Sequence, residues 1–416
     1  MKLIVLIALI FKCISIVWAS PKWTNNLIWK AEGKTIEGIK FSKNGSFVGF
    51  SSQVYWPDGH MAESFSKSYF DKLKKSQEND PRFADPIIYL VNMKGELKCS
   101  IKYGWKPEIN SDGRIVYYTF QKNPISGKRR LAETLKGNEI HFFDCSKKQD
   151  IILSKPQSGY LDDAKLINND QEVLFSINKP VNGAYGGSVG ISSYSLKTQT
   201  ERIKISQKDI KAIPCLKDTS ILSKHQNMLC GNPDIAKKFP VLLGNVSKVD
   251  DAFYSLIHEP IPKVGDFYQA SNYNNSLVNI SSGKVEIKNL GEKSNVRSIF
   301  FQGTDKSALF LFDTKWKQYE KTNNKWLLKK ELKYAKPSSK FSRDLKYYIF
   351  NEEDSVSQNA TLSVYNTETG EKVYSAPKAL AFYDFEWSED SKKIAYSALV
   401  STGADYREEL RIISLE

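Results

Sequence analysis

The sequence predicts an all-β fold built from repeated four-stranded antiparallel units. Seven segments share one pattern, in which an aromatic or aliphatic residue precedes a short polar turn and an apolar strand. Each segment is followed by a second hairpin with a polar turn, as at residues 277–290. Runs with helical periodicity are scarce, whereas aromatic residues make up 12% of the chain. Both features are typical of strands rather than helices.

The spacing of the seven segments predicts how they assemble. Their first residues, which we call the anchors, are Phe41, Ile109, Leu166, Leu222, Phe301, Phe341 and Trp387. The last three anchors lie roughly 40 to 50 residues apart, which is the length of one propeller blade. Longer intervals are interpreted as a blade with an insertion. A single hairpin cannot bury its own apolar face, so the units must stack on one another. We therefore predict a seven-bladed β-propeller.

The fourth unit is the weakest copy of the pattern. Its predicted second strand, 228–231, is short, and a long interval separates it from the next predicted strand, which begins at Asn275. That interval contains two further apolar segments, 241–246 and 252–257. Eight blades are therefore the alternative.

The two ends of the chain predict how the ring closes. After Trp387 the sequence offers three strands and then ends at Glu416. Residues 26–31 precede the first anchor unit and have the pattern of a strand. We expect this segment to complete the last blade, since a closed ring leaves few open sheet edges. Residues 20–416 would then form a single propeller domain.

Two of these segments carry a resemblance to a known family. FSKNGSFVGF begins at Phe41 and WSEDSKKIAY at Trp387, and LSVYNTETGEKVYS lies at 362–375. They resemble the repeats of TolB-like propellers, which are related to WD40-like repeats and are common in exported bacterial proteins. The resemblance covers the whole mature chain and implies a propeller fold without implying a function. The proline that those repeats carry after serine is absent, and no α/β domain precedes the repeats as it does in TolB.

The N-terminus predicts export. Residues 1–19 begin with a basic residue, continue with the apolar run 3–11, and end with Val17 and Ala19 at the third and first positions before a predicted cleavage site. This is the pattern of a secretory signal peptide. A lysine interrupts the apolar run, which is too short to span a membrane. We expect a periplasmic or extracellular protein that does not span the membrane.

Cysteine usage is consistent with export. Four of the five cysteines remain after the predicted cleavage, namely Cys99, Cys145, Cys215 and Cys230. Four cysteines permit two disulfides in three connectivities. We favour Cys215–Cys230, because both fall in the same predicted blade, and free buried thiols are the alternative. With no C-x-x-C spacing and only four histidines, we predict no metal site and no cofactor.

The chain is basic, with a formal net charge of +13. Such a charge attracts an exported protein to acidic glycans or to an anionic envelope surface, although scattered lysines also serve solubility. No basic helix or base-stacking module is present in the pattern, so nucleic acid is not a predicted partner.

The predicted insertions point to one binding face. They all fall between the second and third strands of their blades, and these connections leave a four-stranded meander on one side. Long loops on a rigid scaffold commonly carry binding residues. We therefore predict an interaction scaffold for a protein partner. The candidate binding residues are Trp56, Tyr69, Lys128, Arg129, Arg130, Tyr185, Tyr268 and Trp316, chosen as exposed aromatic anchors and a basic cluster.

The search for catalytic chemistry yields no catalytic residue. Residues 186–190 spell G-x-S-x-G, but no helical pattern follows them as it does in a hydrolase. Asp162, Asp163 and Asp384 precede predicted inner strands. The alternative to a scaffold is accordingly a carbohydrate-active enzyme, a polysaccharide lyase or glycosidase, with its site at the central channel.

Overall fold

The computed structural model consists of β-strands throughout its regular elements. The residues it describes are 22–32, 35–52, 86–120, 138–155, 160–167, 170–178, 188–206, 246–249, 252–260, 273–279, 284–287, 290, 296–301, 306–354, 359–401 and 406–416. Within these ranges the strands pair into seven four-stranded antiparallel sheets. The prediction of an all-β fold with four-stranded antiparallel blades is confirmed.

The first three sheets follow one another along the chain. Sheet 1 contains β2 (Glu37–Phe41), β3 (Phe47–Ser52), β4 (Ile87–Asn92) and β5 (Leu97–Lys102). Sheet 2 contains β6 (Trp105–Ile109), β7 (Ile115–Phe120), β8 (Asn138–Asp144) and β9 (Gln149–Ser154). Sheet 3 contains β10 (Tyr160–Ile167), β11 (Glu172–Asn178), β12 (Ser188–Ser195) and β13 (Thr200–Ile205).

The remaining sheets keep the same order, except that the last one takes a strand from the N-terminus. Sheet 4 contains β14 (Val246–Val249), β15 (Ala252–Pro260), β16 (Tyr273–Asn279) and β17 (Lys284–Ile287). Sheet 5 contains β18 (Val296–Phe301), β19 (Ser307–Phe312), β20 (Lys315–Thr322) and β21 (Lys325–Leu332). Sheet 6 contains β22 (Lys340–Phe341), β23 (Tyr347–Asp354), β24 (Asn359–Asn366) and β25 (Lys372–Ser375). Sheet 7 contains β26 (Ala381–Trp387), β27 (Lys393–Ser401), β28 (Tyr406–Leu415) and β1 (Trp23–Glu32).

Sheet 4 corrects the prediction for the fourth unit. Its first two strands are β14 and β15, so the predicted anchor Leu222 and the predicted strand 228–231, which lie outside the described residues, were the wrong choice. Only Asp250 and Asp251 separate β14 from β15. The repeat pattern used for the prediction has a longer turn after its anchor, so it does not detect a two-residue connection. The described residues contain no eighth sheet.

Sheet 5 corrects the prediction for Trp316. Trp316 was predicted as an exposed aromatic anchor, but it lies in strand β20 and is only 5% exposed. Its indole Nε1 donates to the Lys336 carbonyl at 2.9 Å, and its ring contacts that of Phe341 edge-on. Trp316 is therefore a core residue between sheets 5 and 6. Isolated within a lysine-rich stretch, it resembled a surface aromatic in the sequence.

The repeated serine of the sequence pattern has a structural role. Ser388 donates its hydroxyl to Asp390 Oδ1 at 2.6 Å and accepts the Lys393 amide at 2.8 Å. The same arrangement occurs in sheets 1 and 6, with the residues Ser42, Asn44 and Phe47, and Ser342, Asp344 and Tyr347. The residues that recur in the sequence thus build the first turn of each of these sheets, where Asp and Asn bond to nearby backbone.

The N-terminal strand completes sheet 7. Strand β1 pairs antiparallel with β28 from Trp23 opposite Leu415 to Glu32 opposite Arg407. The predicted strand 26–31 therefore occupies the predicted position. Ile28 joins a core cluster that includes Phe50 of sheet 1. Gly95 has a φ of +82°, and a Cβ on it would lie 2.3 Å from the Ile28 carbonyl oxygen, so only glycine fits there.

A disulfide joins sheets 1 and 2. Cys99 in β5 is bonded to Cys145, which follows β8, with the two Cα atoms 5.9 Å apart. Cys215 and Cys230 lie outside the described residues. Their pairing remains a prediction. Because Cys99 and Cys145 are bonded to each other, Cys215 and Cys230 are the two cysteines left of the four.

A buried carboxyl lies where sheet 7 meets sheet 1. Glu408 of β28 is 1% exposed, and its Oε2 accepts the Ile36 amide at 2.7 Å. Its Oε1 has no hydrogen-bond partner among the described residues. Burial raises the pKa of Glu408 to about 7. The hydrogen bond from the Ile36 amide lowers this pKa, and the nearby Glu37 carboxylate raises it by a smaller amount.

We predict that Ile28→Ala destabilises the fold, whereas Leu27→Ala leaves it nearly unchanged. Ile28 is 9% exposed in the shared core and Leu27 is 38% exposed. Losing the buried side chain costs about 2 kcal/mol or more in the free energy of unfolding, and a surface truncation costs within about 0.5 kcal/mol. Urea unfolding of both variants measures the difference. Equal effects would contradict the packing of β1 described above.

We predict that Glu408 makes the protein less stable as pH rises from about 4.5 to about 7. Over this window the folded chain keeps a proton that the unfolded chain releases, so the free energy of unfolding falls with pH. The total loss is of order 3 kcal/mol, reached by about pH 7 and constant above it. Urea unfolding at pH 5, 6, 7 and 8 checks this.

The matched control is Glu408→Gln, which keeps an acceptor for the Ile36 amide but does not titrate. Its stability should vary less between pH 5 and pH 7 than that of the parent. Parallel curves for the two proteins would rule out Glu408 as the titrating group.

Candidate binding site beside the inner strands

The first strands of neighbouring sheets contact one another. Strand β26 contacts β22 and β2, and β6 contacts β2 and β10. Because these five strands meet edge by edge while the later strands of each sheet extend away, they form the inner wall of sheets 6, 7, 1, 2 and 3, in that order.

Charged side chains of alternating sign follow this inner wall. We call them the inner charge row, and its members in order are Lys340, Glu386, Lys40, Glu108 and Lys165. The Lys40 ammonium lies 3.1 Å from Glu386 Oε1. Glu108 of the next sheet also attracts Lys40, so this lysine has carboxylates on both adjacent sheets, which compensates for its loss of hydration.

The pKa values in the row reflect this compensation. Burial disfavours the charged form of Lys40, but the carboxylates of Glu386 and Glu108 outweigh it and raise the pKa of Lys40. Burial raises the pKa of Glu108, although Lys40 and Lys165 act in the opposite direction.

Asp384 connects three successive sheets. It belongs to β26 of sheet 7, and its Oδ2 accepts the Ile39 amide of sheet 1 at 2.9 Å. Its Oδ1 lies 3.5 Å from the Lys340 ammonium of sheet 6. Sequence analysis singled out this residue as a candidate for chemistry, and its contacts are those of a carboxylate that joins neighbouring sheets.

A cleft opens between sheets 6 and 7. Its volume is about 450 Å³, and its lining residues are Ser338, Phe350, Asn351, Glu353, Phe382 and Phe385. We call it the 6/7 cleft. It lies at the end of β23 and the beginning of β26. This is the side on which second strands lead to third strands, so it is the face that the insertions predicted.

The polar side chains at the 6/7 cleft differ in whether they have hydrogen-bond partners among the described residues. Asn351 Oδ1 is buried and has no hydrogen-bond partner among the described residues. Glu353 is exposed, and within the described ranges no side chain pairs with its carboxylate. The neighbouring Glu352 points to the other side of β23, where Lys372 donates to it at 2.6 Å and Ser363 at 3.0 Å.

Most of the predicted binding residues cannot be compared with this site. Seven of them lie outside the described residues and stay predictions, namely Trp56, Tyr69, Lys128, Arg129, Arg130, Tyr185 and Tyr268. Trp316 is excluded because it is buried. Sequence analysis missed both the 6/7 cleft and the inner charge row.

A sequence signal for the inner charge row was present. Each member directly precedes an anchor residue, as Lys40 precedes Phe41 and Glu386 precedes Trp387. Reading that position across sheets 6, 7, 1, 2 and 3 reveals the alternation of sign. No comparable signal exists for the 6/7 cleft, because its residues come from two strands and one connection that belong to two sheets.

No family model matches the chain, and no curated protein matches it in sequence. Among solved structures, the chain is similar to the β-propeller domain of Cps50 (Swd1) from Myceliophteria thermophila, with a TM-score of 0.53 and 10% identity over 95% of this chain and 100% of that one. The fold is a β-propeller. An identity this low supports the propeller fold and nothing about function.

Two further structures are similar at lower scores. The β-propeller domain of the Trilobed protease from Pyrococcus furiosus matches with a TM-score of 0.48 and 11% identity, over 91% of this chain and 94% of that chain. A prolyl endopeptidase structure matches with a TM-score of 0.47 and 11% identity, over 89% of this chain and 47% of that chain.

The described part of the propeller lacks two other kinds of feature. No helix there is long and apolar enough to cross a membrane. The same residues contain no group of three or more His, Cys, Asp or Glu side chains placed to hold a metal ion.

Proposed function

We propose that this chain is an exported propeller scaffold of the periplasm or cell envelope that binds a protein partner. The binding surface would be the side on which second strands lead to third strands, which we call the connection face. The 6/7 cleft is the observation that carries the proposal, because it combines apolar walls with unpaired polar groups on the face that sequence analysis favoured.

The distribution of chain length supports the choice of face. Residues 53–86 separate β3 from β4, and residues 121–137 separate β7 from β8. The connection from β2 to β3 covers only residues 42–46. The longer connections therefore join second strands to third strands, and a rigid scaffold could present them to a partner on the connection face.

The Cys99–Cys145 disulfide supports the proposed location. Disulfides persist in oxidising compartments and are rare in the cytosol, and this one joins two sheets of the propeller. Together with the signal-peptide pattern of residues 1–19, it favours export. An acidic glycan or an envelope surface remains a further predicted partner of this basic chain.

We also propose that the seven sheets are seven blades of one ring formed by residues 20–416. Contacts between first strands support the order of sheets 6, 7, 1, 2 and 3. The core cluster that contains Leu309 and Phe341 links sheets 5 and 6, and β17 contacts β21 between sheets 4 and 5.

The alternative of a carbohydrate-active enzyme gains no support from the described residues. Glycoside hydrolysis requires two carboxyl groups that flank the substrate. The inner carboxylates Asp384 and Glu386 instead pair with Lys340 and Lys40, and Lys40 also acts on Glu108.

We predict that the full chain, expressed in a bacterium with a periplasm, is recovered there with Ser20 as its first residue, because residues 1–19 direct export and are removed. Cell fractionation and intact mass measure this outcome. A chain that lacks residues 2–19 is the control and should stay in the cytoplasm. An unprocessed full-length chain in the cytoplasm would contradict export.

We predict that a photo-crosslinking amino acid at Ser338 captures a protein partner in cells of the native host. Ser338 lines the 6/7 cleft and is exposed. The matched control is Lys43, which is exposed in the turn between β2 and β3 on the opposite side. Adducts resolved by electrophoresis should form from position 338 and not from position 43. Adducts from position 43 alone would refute the proposed face.

A further inference from the structure

The 6/7 cleft has a chemistry that selects its occupant. Three of its six lining residues are phenylalanines, and Phe382 and Phe385 are among the buried ones. Its volume of about 450 Å³ is that of a small-molecule pocket, so it admits a side chain but not a folded element. Aromatic walls favour a flat or cationic group, because the faces of aromatic rings attract positive charge.

The unused polar atoms of the cleft are hydrogen-bond acceptors. The Asn351 amide oxygen has no partner among the described residues, and the Glu353 carboxylate only accepts. A buried acceptor without a partner is costly. An occupant that donates hydrogen bonds would remove that cost, and a positively charged donor would also pair with Glu353.

The lysine beside the cleft is already engaged. Lys340 donates to the Phe385 carbonyl oxygen at 2.6 Å, lies 3.5 Å from Asp384 Oδ1, and sits over the Phe385 ring at 4.6 Å from its centroid. These contacts hold its ammonium at the inner strands. The ammonium is therefore partnered elsewhere, while Asn351 and Glu353 remain to meet an incoming group.

We propose that the 6/7 cleft binds an arginine side chain of the partner protein. The guanidinium would stack on Phe350 or Phe382, because Lys340 already sits over the Phe385 ring. It would donate to Asn351 Oδ1 and to the Glu353 carboxylate. Arginine fits better than lysine because its planar group offers several donors at once and stacks on aromatic rings. This inference names the partner chemistry of the proposed binding face and rests on that proposal.

The probe for this site is acetyl-Gly-Arg-(4-fluoro-Phe)-amide, observed by fluorine NMR during titration of the full mature chain. The comparison probe carries citrulline, which keeps the shape of arginine but has no charge. We expect the citrulline probe to bind at least about tenfold more weakly, because charge-assisted hydrogen bonds are lost.

Three variants locate the binding. Glu353→Gln should weaken the arginine probe about tenfold, and Asn351→Asp should strengthen it by adding a charge to an acceptor. Glu371→Gln is the matched control, since Glu371 is an exposed carboxylate of the same sheet outside the cleft. It should leave binding unchanged. Urea unfolding midpoints confirm that each variant is folded.

The outcomes separate this inference from the proposed function. Equal binding of the arginine and citrulline probes, or binding that Glu353→Gln does not change, would overturn the arginine site even if Ser338 captures a partner. Discrimination between the probes that depends on Glu353 would support the site. If the probes are discriminated in this way but position 338 gives no adducts, the arginine site stands and only the proposed protein-binding face is contradicted.

Discussion

The pairing of β1 with β28 is the constraint on which the rest of the propeller depends. It brings residues near the two ends of the sequence into one sheet, so that sheet 7 presents a complete face to sheet 1. The core cluster between them draws on β1, β28 and the strands of sheet 1, and Gly95 approaches the Ile28 carbonyl closely. An unpaired β28 would expose a row of backbone hydrogen-bonding groups at a sheet edge.

The inner strands face a different problem, because they gather charged side chains near one another. The alternation of sign along the inner charge row resolves it, since Lys40 lies between carboxylates of the two neighbouring sheets, Glu386 and Glu108. Asp384 adds a direct link by accepting a backbone amide from sheet 1 while it pairs with a lysine of sheet 6. The same sheets that carry these links form the 6/7 cleft, so the cleft has rigid walls on both sides.

The sequence predictions were right for the repeated serine turns, where the interactions join residues close together in the chain, and wrong for Trp316, where the interactions join distant residues. Serine at the first turn acts within five residues, as Ser388 does with Lys393, and such local patterns are visible in the sequence. The fourth unit was misplaced because its first hairpin turns within two residues and lacks that local pattern. Trp316 was misread because its burial depends on Lys336 and Phe341, which come from the next connection and the next sheet.

The sequence by itself determined the all-β class, the four-stranded repeat and the strand that completes the last sheet, because each of these depends on local alternation and turn chemistry repeated along the chain. Only the tertiary structure decided which residues meet across sheets. The Cys99–Cys145 bond and the order of charges on the inner wall both arise from contacts between sheets. Such contacts depend on how the sheets are placed around the ring, and no short stretch of sequence encodes that placement.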